Sequence, residues 1–394
     1  MLEVRAERLC REILALAGTG ADITQLHGRA IELVDHTVRS DLTCWALIDP
    51  GTLTVGSMTS GHNRIPREYE PLLAESEFGG KDPATFADLA RSGRTVVRAS
   101  DLPAADVAHS LRHGAVWRPL GLDCEARFTF IVDGFFWGAA GFVRSGPDFT
   151  DRELEFLTLT ATALAVATRA AAVHVVQSRR GDDPGPAVVL TDPVGDPIGL
   201  TAAARDWQDR LAGQVRLAVL LRAATVGARS SPTGVFRARI HDGHGYWVLV
   251  RATALVTDGD EGRTVVTIEP APAEEFTDLL FTAYALTARE RDVCADVSAG
   301  LSTAEIALRR CITSNTVQDH LKAVYAKTGA GSRAELAALL AGRRSAARIR
   351  PADRDRGGRR AAPEDCPRSG LDTITCGNSP APSNVCPISH PGTS

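Results

Sequence analysis

Apolar residues recur along this chain with two periods, and the changes of period mark out its parts. Leu2 to Leu16 and Ile23 to Val38 follow the helical period, the second with Ile23, Leu26, Ala30, Leu33, Val34 and Val38 on one side, so two amphipathic helices are expected at the start. Strand-like runs follow at Leu42 to Ile48, Leu53 to Met58, Arg127 to Val132 and Phe136 to Val143. Asp133-Gly134 supplies turn chemistry for a hairpin between the last two. A long helix from Asp151 to about Arg169 closes this part, with Leu154, Leu157, Ala161, Leu164, Ala165 and Thr168 along one stripe. That stripe suits packing onto its own sheet or pairing with its counterpart in a homodimer.

A second group begins with a strand at Ala187 to Thr191, a turn through Asp192 to Asp196 and a helix from Thr201 to Leu211. Strands recur at Val235 to Ile240, Tyr246 to Leu255 and Arg263 to Ile268, the first pair joined through Asp242-Gly243. Pro/Gly/Asp-rich breaks at Arg179 to Pro186 and Glu269 to Glu275 separate the groups. The division expected is 1–178, 186–270, 284–342 and a tail from 343 to 394. The tail is rich in Arg, Pro, Ser, Gly and Asp and almost without large apolar residues, so disorder is expected there. Eight arginines lie between Arg343 and Arg360 and could add nonspecific attraction to phosphate.

The third group is the most informative. Thr287-Ala288-Arg289-Glu290, Ser302-Thr303-Ala304-Glu305 and Ser332-Arg333-Ala334-Glu335 each set a hydroxyl three positions before a glutamate, the pattern of a capping box that starts a helix. Gly300 and Gly329 fall where helices should stop. Four helices are predicted, at about 288–298, 303–309, 314–328 and 333–341. The turn between the second and third spans only Arg310 to Thr313, short enough to set one helix across the other. On the third helix Val317, Leu321, Val324 and Thr328 form an inward stripe, while Ser314, Asn315, Gln318, Asp319, Lys322 and Tyr325 face out.

A helix fits the DNA major groove, where Gln can read adenine, Asp can accept from cytosine and Lys can reach guanine. Gln318, Asp319 and Lys322 are the expected base contacts. Ser314, Asn315, Thr316 and Lys327, with Arg309, Arg310 and Arg333 from neighbouring helices, are the expected backbone contacts, which set affinity and register.

The strings LTARERDV, GLSTAEIA and TSNTVQDHLKAVYAKTGAGSRAEL resemble the LuxR-type C-terminal domain of bacterial regulators along some 55 residues. Leu286, Thr287, Arg289, Glu290, Gly300, Glu305, Ile306, Ala307, Thr316, Val317, His320, Leu321, Lys327, Gly329, Ser332 and Arg333 carry the match. The resemblance implies a DNA-binding transcriptional regulator whose third helix enters the major groove and whose dimers bind paired half-sites. Cys311, where many members carry a larger residue, and Asp319, acidic on a face that meets DNA, depart from the pattern. Upstream, the layout and the stretch Trp137 to Arg144 with Asp148-Phe149-Thr150 resemble a GAF-type sensor, as in GAF–LuxR regulators. The second group resembles a small PAS-type module. The fold class expected is therefore multi-domain α+β: a GAF-like sensor, a PAS-like module, an all-α LuxR-type domain and a disordered tail.

Such sensors hold small ligands between sheet and helices, so an unidentified small-molecule effector is a candidate partner. Cys44, Trp45, Trp117, Cys124 and Trp137 read more simply as core than as ligand contacts. No haem-attachment motif and no cysteine or histidine pair at metal-ligand spacing occurs among the eight cysteines, so neither a cofactor nor a metal is expected. The formal charge of −4 excludes an overall basic field, leaving DNA contact to a local surface. No signal-peptide pattern is present, and Leu154 to Val176 carries Arg169 and several threonines, unlike a membrane span. A cytoplasmic protein is expected. No Gly-x-Ser-x-Gly, His-Glu-x-x-His or glycine-rich nucleotide loop occurs, so an enzyme is not expected. Two other readings compete. One is an adaptor whose C-terminal helices bind RNA polymerase or a sigma factor; the other is a hidden enzyme using Cys44 or Cys124 as nucleophile.

Overall fold

The computed structural model describes residues 2–176, 185–213, 215–242, 247–255 and 262–340, all within one compact unit spanning Met1–Arg350. The expected tail and Gly243 of the Asp242-Gly243 turn lie outside the described residues.

The chain opens with α1 (Leu2–Gly18) and α2 (Ile23–Asp35). Asp22 starts α2 by accepting from the Gln25 amide at 2.8 Å, and Ile23, Leu26, His27, Ala30, Ile31 and Val34 form its buried side. Then come β1 (Leu42–Ile48), β2 (Val55–Ser60), α3 (Glu70–Phe78), α4 (Phe86–Ser92), β3 (Val96–Arg98), α5 (Ala104–His109), a wide turn of π-helix at Arg112–Trp117, β4 (Cys124–Val132), β5 (Phe135–Arg144) and α6 (Asp151–Val176). The strands form one antiparallel sheet in the order β2-β1-β5-β4-β3. As the sequence predicts, Asp133-Gly134 closes the β4–β5 hairpin, both with left-handed φ (53° and 76°), which matches the twist of the flanking strands. The second strand starts two residues later than predicted.

One face of this sheet, with Trp45, Leu47, Phe128, Phe130 and Phe142, packs under α1, α2 and α6. Gly138 lets Phe130 lie flat, since a Cβ there would come within 2.5 Å of its ring. The stripe Leu157, Ala161, Leu164, Ala165 and Thr168 is buried in the same core, which leaves it unavailable as a dimer seam. The stretch Asp151–Val173 is long and apolar enough to cross a membrane, with mean hydropathy 1.5 over an 18-residue window, but 67% of that window is buried inside the protein.

The next elements are β6 (Ala187–Thr191), β7 (Pro197–Leu200), α7 (Ala202–Leu211), α8 (Leu217–Ser230), β8 (Val235–His241), β9 (Trp247–Ala254) and β10 (Thr264–Pro270). Their sheet is ordered β7-β6-β10-β9-β8, the first sheet's order repeated. Leu211, Leu220, Leu221 and Ala224 of α7 and α8, with Trp207, fill its inner face against Val189, Ala238, Val248, Val250 and Ile268. The first sheet and the second are tied together. Asp49 receives two hydrogen bonds from the buried guanidinium of Arg239, one at 2.6 Å. Arg222 reaches Glu75 at 2.6 Å, and the Phe78 and Phe236 rings meet edge to face 5.6 Å apart. Trp247 and Leu249 extend into the first core.

The predicted break at Glu269 to Glu275 is instead the end of β10 and the start of α9 (Ala273–Ala283). Pro272 accounts for the difference: its fixed φ suits a helix start as well as a loop. Helix α9 contributes Leu279, Leu280 and Ala283 to the first core and Phe281 to the core of the helices that follow.

Candidate nucleic-acid interface

Four helices follow: α10 (Ala288–Ser298), α11 (Thr303–Arg310), α12 (Ser314–Thr328) and α13 (Arg333–Leu340). Each predicted boundary lies within one residue of these. Thr287 and Ser302 form complete capping boxes, each hydroxyl accepting from the glutamate amide while the glutamate accepts from the cap amide at 2.7 Å. The third box is half formed: Ser332 accepts from the Glu335 amide at 3.1 Å, but the Glu335 carboxylate turns to the Gly331 amide at 2.8 Å. Gly300 and Gly329 take left-handed φ of 82° and 74°, as their positions demand. Cys311 does so without being glycine, at φ 54°, ending α11 sharply enough for α12 to cross it.

Val293, Val297, Ile306, Val317, Leu321 and Val324, with Leu336, make the small core, so α12 is held on one side by α10 and α11. Its other side is open. Ser314, Asn315, Gln318, Asp319 and Lys322 are exposed. Lys322 and Asp319, 76% and 72% exposed, pair at 3.3 Å, a contact too solvated to be worth much. Thr313 caps α12, its hydroxyl accepting from the Thr316 amide at 3.1 Å and lying 2.8 Å from the Thr316 hydroxyl. Arg309 is more than half exposed, 3.5 Å from Asp296. Tyr325, expected outside, packs partly against the core, and Thr328 is only half-buried, donating to the Val324 carbonyl. His320 lines a hollow of about 90 Å³ with Val293 and Ile312, too small for a ligand.

Three expected backbone contacts make bonds within the domain. Arg310 donates to Asp296 at 2.6 and 3.0 Å and pairs with Asp292 at 3.0 Å, fixing α11 on α10. The Asp296 carboxyl is held below the usual range by those bonds from Arg310. Arg333 donates to the Leu301 carbonyl, tying α13 to the turn after α10. Lys327 reaches the Ala285 carbonyl and Glu290. Burial pushes the Glu290 carboxyl up, but the bonds from Lys327 and Thr287 outweigh it and leave it low. The partners lie 14 to 42 residues away in sequence, so helical periodicity could not reveal them.

The upstream region has a different character. On the outer face of the first sheet, Glu125 accepts from Arg112 and His113 at 2.9 Å each, Arg112 also reaches Asp82 at 3.1 Å, and Arg127 pairs with Glu77 at 2.6 Å while lying 3.7 Å over the Phe86 ring. All of these charged groups are buried or nearly so. These ion pairs lie beside an apolar cluster on the same face, made by Ala46, Ile48, Phe136 and Ala139 with Phe86 and Ile131 packed against it. Burial pushes the Cys44 thiol up to about 12 and raises Cys124 as well. Neither has the lowered pKa of an activated nucleophile. Among the described residues, no cluster of three or more metal-ligating side chains occurs.

Helices α10 to α13, with their short turn and open crossing helix, define a helix-turn-helix domain. Residues 284–340 match the bacterial regulatory proteins of the luxR family, and this segment is a LuxR-family helix-turn-helix domain. Over 51 residues the chain is 53% identical to a protein of Mycobacterium bovis and to one of Mycobacterium tuberculosis, each provisionally named an HTH-type transcriptional regulator. The match covers 13% of this chain and only 6% of those relatives. Among solved structures, the chain is similar to the phycoerythrobilin-bound GAF domain of a cyanobacterial phytochrome, with TM-score 0.30 and 14% identity over 42% of this chain and 95% of that one. It is also similar to a GAF domain/HD domain protein of Geobacter sulfurreducens, with TM-score 0.27 and 18% identity over 38% and 94%.

Proposed function

We propose that the protein is a cytoplasmic transcriptional regulator in which the α10–α13 domain binds double-stranded DNA with the outer side of α12 in the major groove. The observation that carries this reading is the open row Gln318, Asp319 and Lys322, on a helix whose opposite side is locked into a LuxR-family domain. Gln318 would read adenine, Asp319 would accept from cytosine, and Lys322, only loosely paired with Asp319, would reach guanine. Ser314, Asn315 and Thr316, at the positive end of α12, and Arg309 beside them would hold phosphates. Arg310, Arg333 and Lys327 are left to brace the domain.

Upstream, residues 1–178 serve as a GAF-like sensor and 186–270 as a PAS-like module, with 284–342 as the DNA-binding domain and 343–394 as a tail. Two copies acting on paired half-sites, as LuxR-type domains do, would let a small-molecule effector change their placement. No catalytic role is assigned.

Selection of bound duplexes from random DNA tests the reading, and should return a two-part site. Lys322→Ala should then bind the selected duplex more weakly and lower the slope of log affinity against log salt by about 0.9. Unchanged affinity and slope would remove the recognition surface. A chain that shifts no DNA but captures RNA polymerase or a sigma factor would be an adaptor instead.

A further inference from the structure

Lys327 leaves the last turn of α12 and closes on the first turn of α10. Its ammonium donates to Glu290 Oε2 at 2.7 Å and to the Ala285 carbonyl at 3.1 Å. The same Glu290 oxygen accepts from the Thr287 amide at 2.7 Å, so one charged group fastens the recognition helix to the box that starts α10.

Ala285 lies in the turn that joins α9 to α10. Its φ is 49°, the left-handed conformation that glycine usually supplies after a helix and that a Cβ makes costly. The turn is nonetheless well formed, with the Leu286 amide on the Phe281 carbonyl at 2.9 Å and the Ala285 amide on Thr282 at 3.0 Å. Behind it, α9 is the helix shared by two cores: Leu279, Leu280 and Ala283 in the first, Phe281 in that of the DNA-binding domain. Near the start of α9, the Glu275 carbonyl accepts from Arg239, the residue that also holds Asp49 of the first sheet region. A continuous series of contacts therefore runs from both sheets through α9 and Ala285 to Lys327.

We infer that Lys327 is a positioning residue for DNA binding, which registers the recognition helix on the Ala285 junction and so makes its placement depend on α9. The inference rests on the reading of α12 as the DNA-contacting helix. Salt separates this role from a phosphate contact. A lysine that neutralises a phosphate releases a counterion, so its loss lowers the salt slope. A brace releases none, so its loss lowers affinity equally at every salt concentration.

The test measures binding of the full chain to a duplex it has itself selected, across a salt series. Lys327→Met should bind about tenfold more weakly throughout, the size expected of a coupling residue without ligand contact, with its slope unchanged. In the same assay Lys322→Ala should flatten the slope. Glu290→Gln keeps an acceptor for the Thr287 amide but removes the charge that holds Lys327 against α10. It should weaken binding too, and the double variant should be no weaker than Lys327→Met, because both act through one bond. Glu290→Gln remains informative even if Lys327→Met loses its cooperative melt, since a phosphate-seeking Lys327 freed from Glu290 would bind as well as before or better. A slope reduced by about 0.9 in Lys327→Met, or undiminished affinity in Glu290→Gln, overturns the inference. Absence of DNA binding by the unaltered chain overturns the reading of α12, and the inference with it.

Discussion

The two sheets share one strand order and differ in what lies on their outer faces. In the first, that face carries Glu125 and Arg127, sealed under helices with Glu77, Asp82, Arg112 and His113. In the second, the β8–β9 end rests on the first core through Trp247 and Leu249, while the β6–β7 end is open, with Val188 43% and Ile198 50% exposed. Topology alone therefore does not make a binding pocket. What covers the sheet, and whether the covering side chains leave room, decides it. In the first sheet, ion-paired charged groups share that face with the apolar cluster of Ala46, Ile48, Phe136 and Ala139.

The comparison can be broken most directly at Glu125. Burial alone would push its carboxyl up, but Arg112 and His113 outweigh that and hold it well below the ordinary range. Glu125→Ala leaves two buried donors without their acceptor and should cost about 3–5 kcal/mol in urea denaturation. A loss below about 1 kcal/mol would mean that the network relaxes or admits water.

A smaller and graded effect belongs to the helix side of the same sheet. His27 is fully buried, 5.8 Å from the Trp45 ring and 6.1 Å from Phe130, with its Nε2 3.2 Å from the Thr168 hydroxyl. Burial pushes its pKa down to about 3. The folded state therefore binds this proton less readily than the unfolded chain, whose histidine titrates near 6.5. The stability His27 confers is complete above about pH 6.5 and falls by up to about 1.4 kcal/mol per pH unit as the pH drops toward 3. His27→Gln, which can still bond Thr168, should remove that part of the slope; an unaltered slope between pH 4 and 6 would mean His27 is protonated without cost.

The smallest effect is expected on the open face. Val188→Lys should change stability by no more than about 0.5 kcal/mol, since the side chain already meets solvent. A loss near that of Glu125→Ala would show that this face is covered in solution, and a second copy of the chain is what sedimentation should then detect.

The elements legible in the sequence were those with local causes. Capping boxes, terminal glycines and the inward stripe Val317, Leu321, Val324 lie within one helix and its ends, and they located α10 to α13 almost to the residue. The Asp133-Gly134 hairpin was equally plain. Helix α8, absent from the expected elements, carries a legible signal as well, since Leu217, Leu220, Leu221, Ala224 and Ala228 keep the helical spacing. Residues 61–123 show no legible period, because their short helices, π turn and three-residue strand are too brief.

For this protein, then, sequence by itself determined the helix-turn-helix domain and the outward row Gln318, Asp319 and Lys322, because helix starts, stops and sides are set by neighbours within four residues. Only the tertiary structure decided that Lys327, Arg310 and Arg333 bond to neighbouring elements of the domain and that the first sheet's outer face carries buried ion pairs. A long cationic side chain can serve as a brace or as a phosphate contact with the same local sequence. The choice depends on whether folding brings a carboxylate or carbonyl from a distant element within its reach.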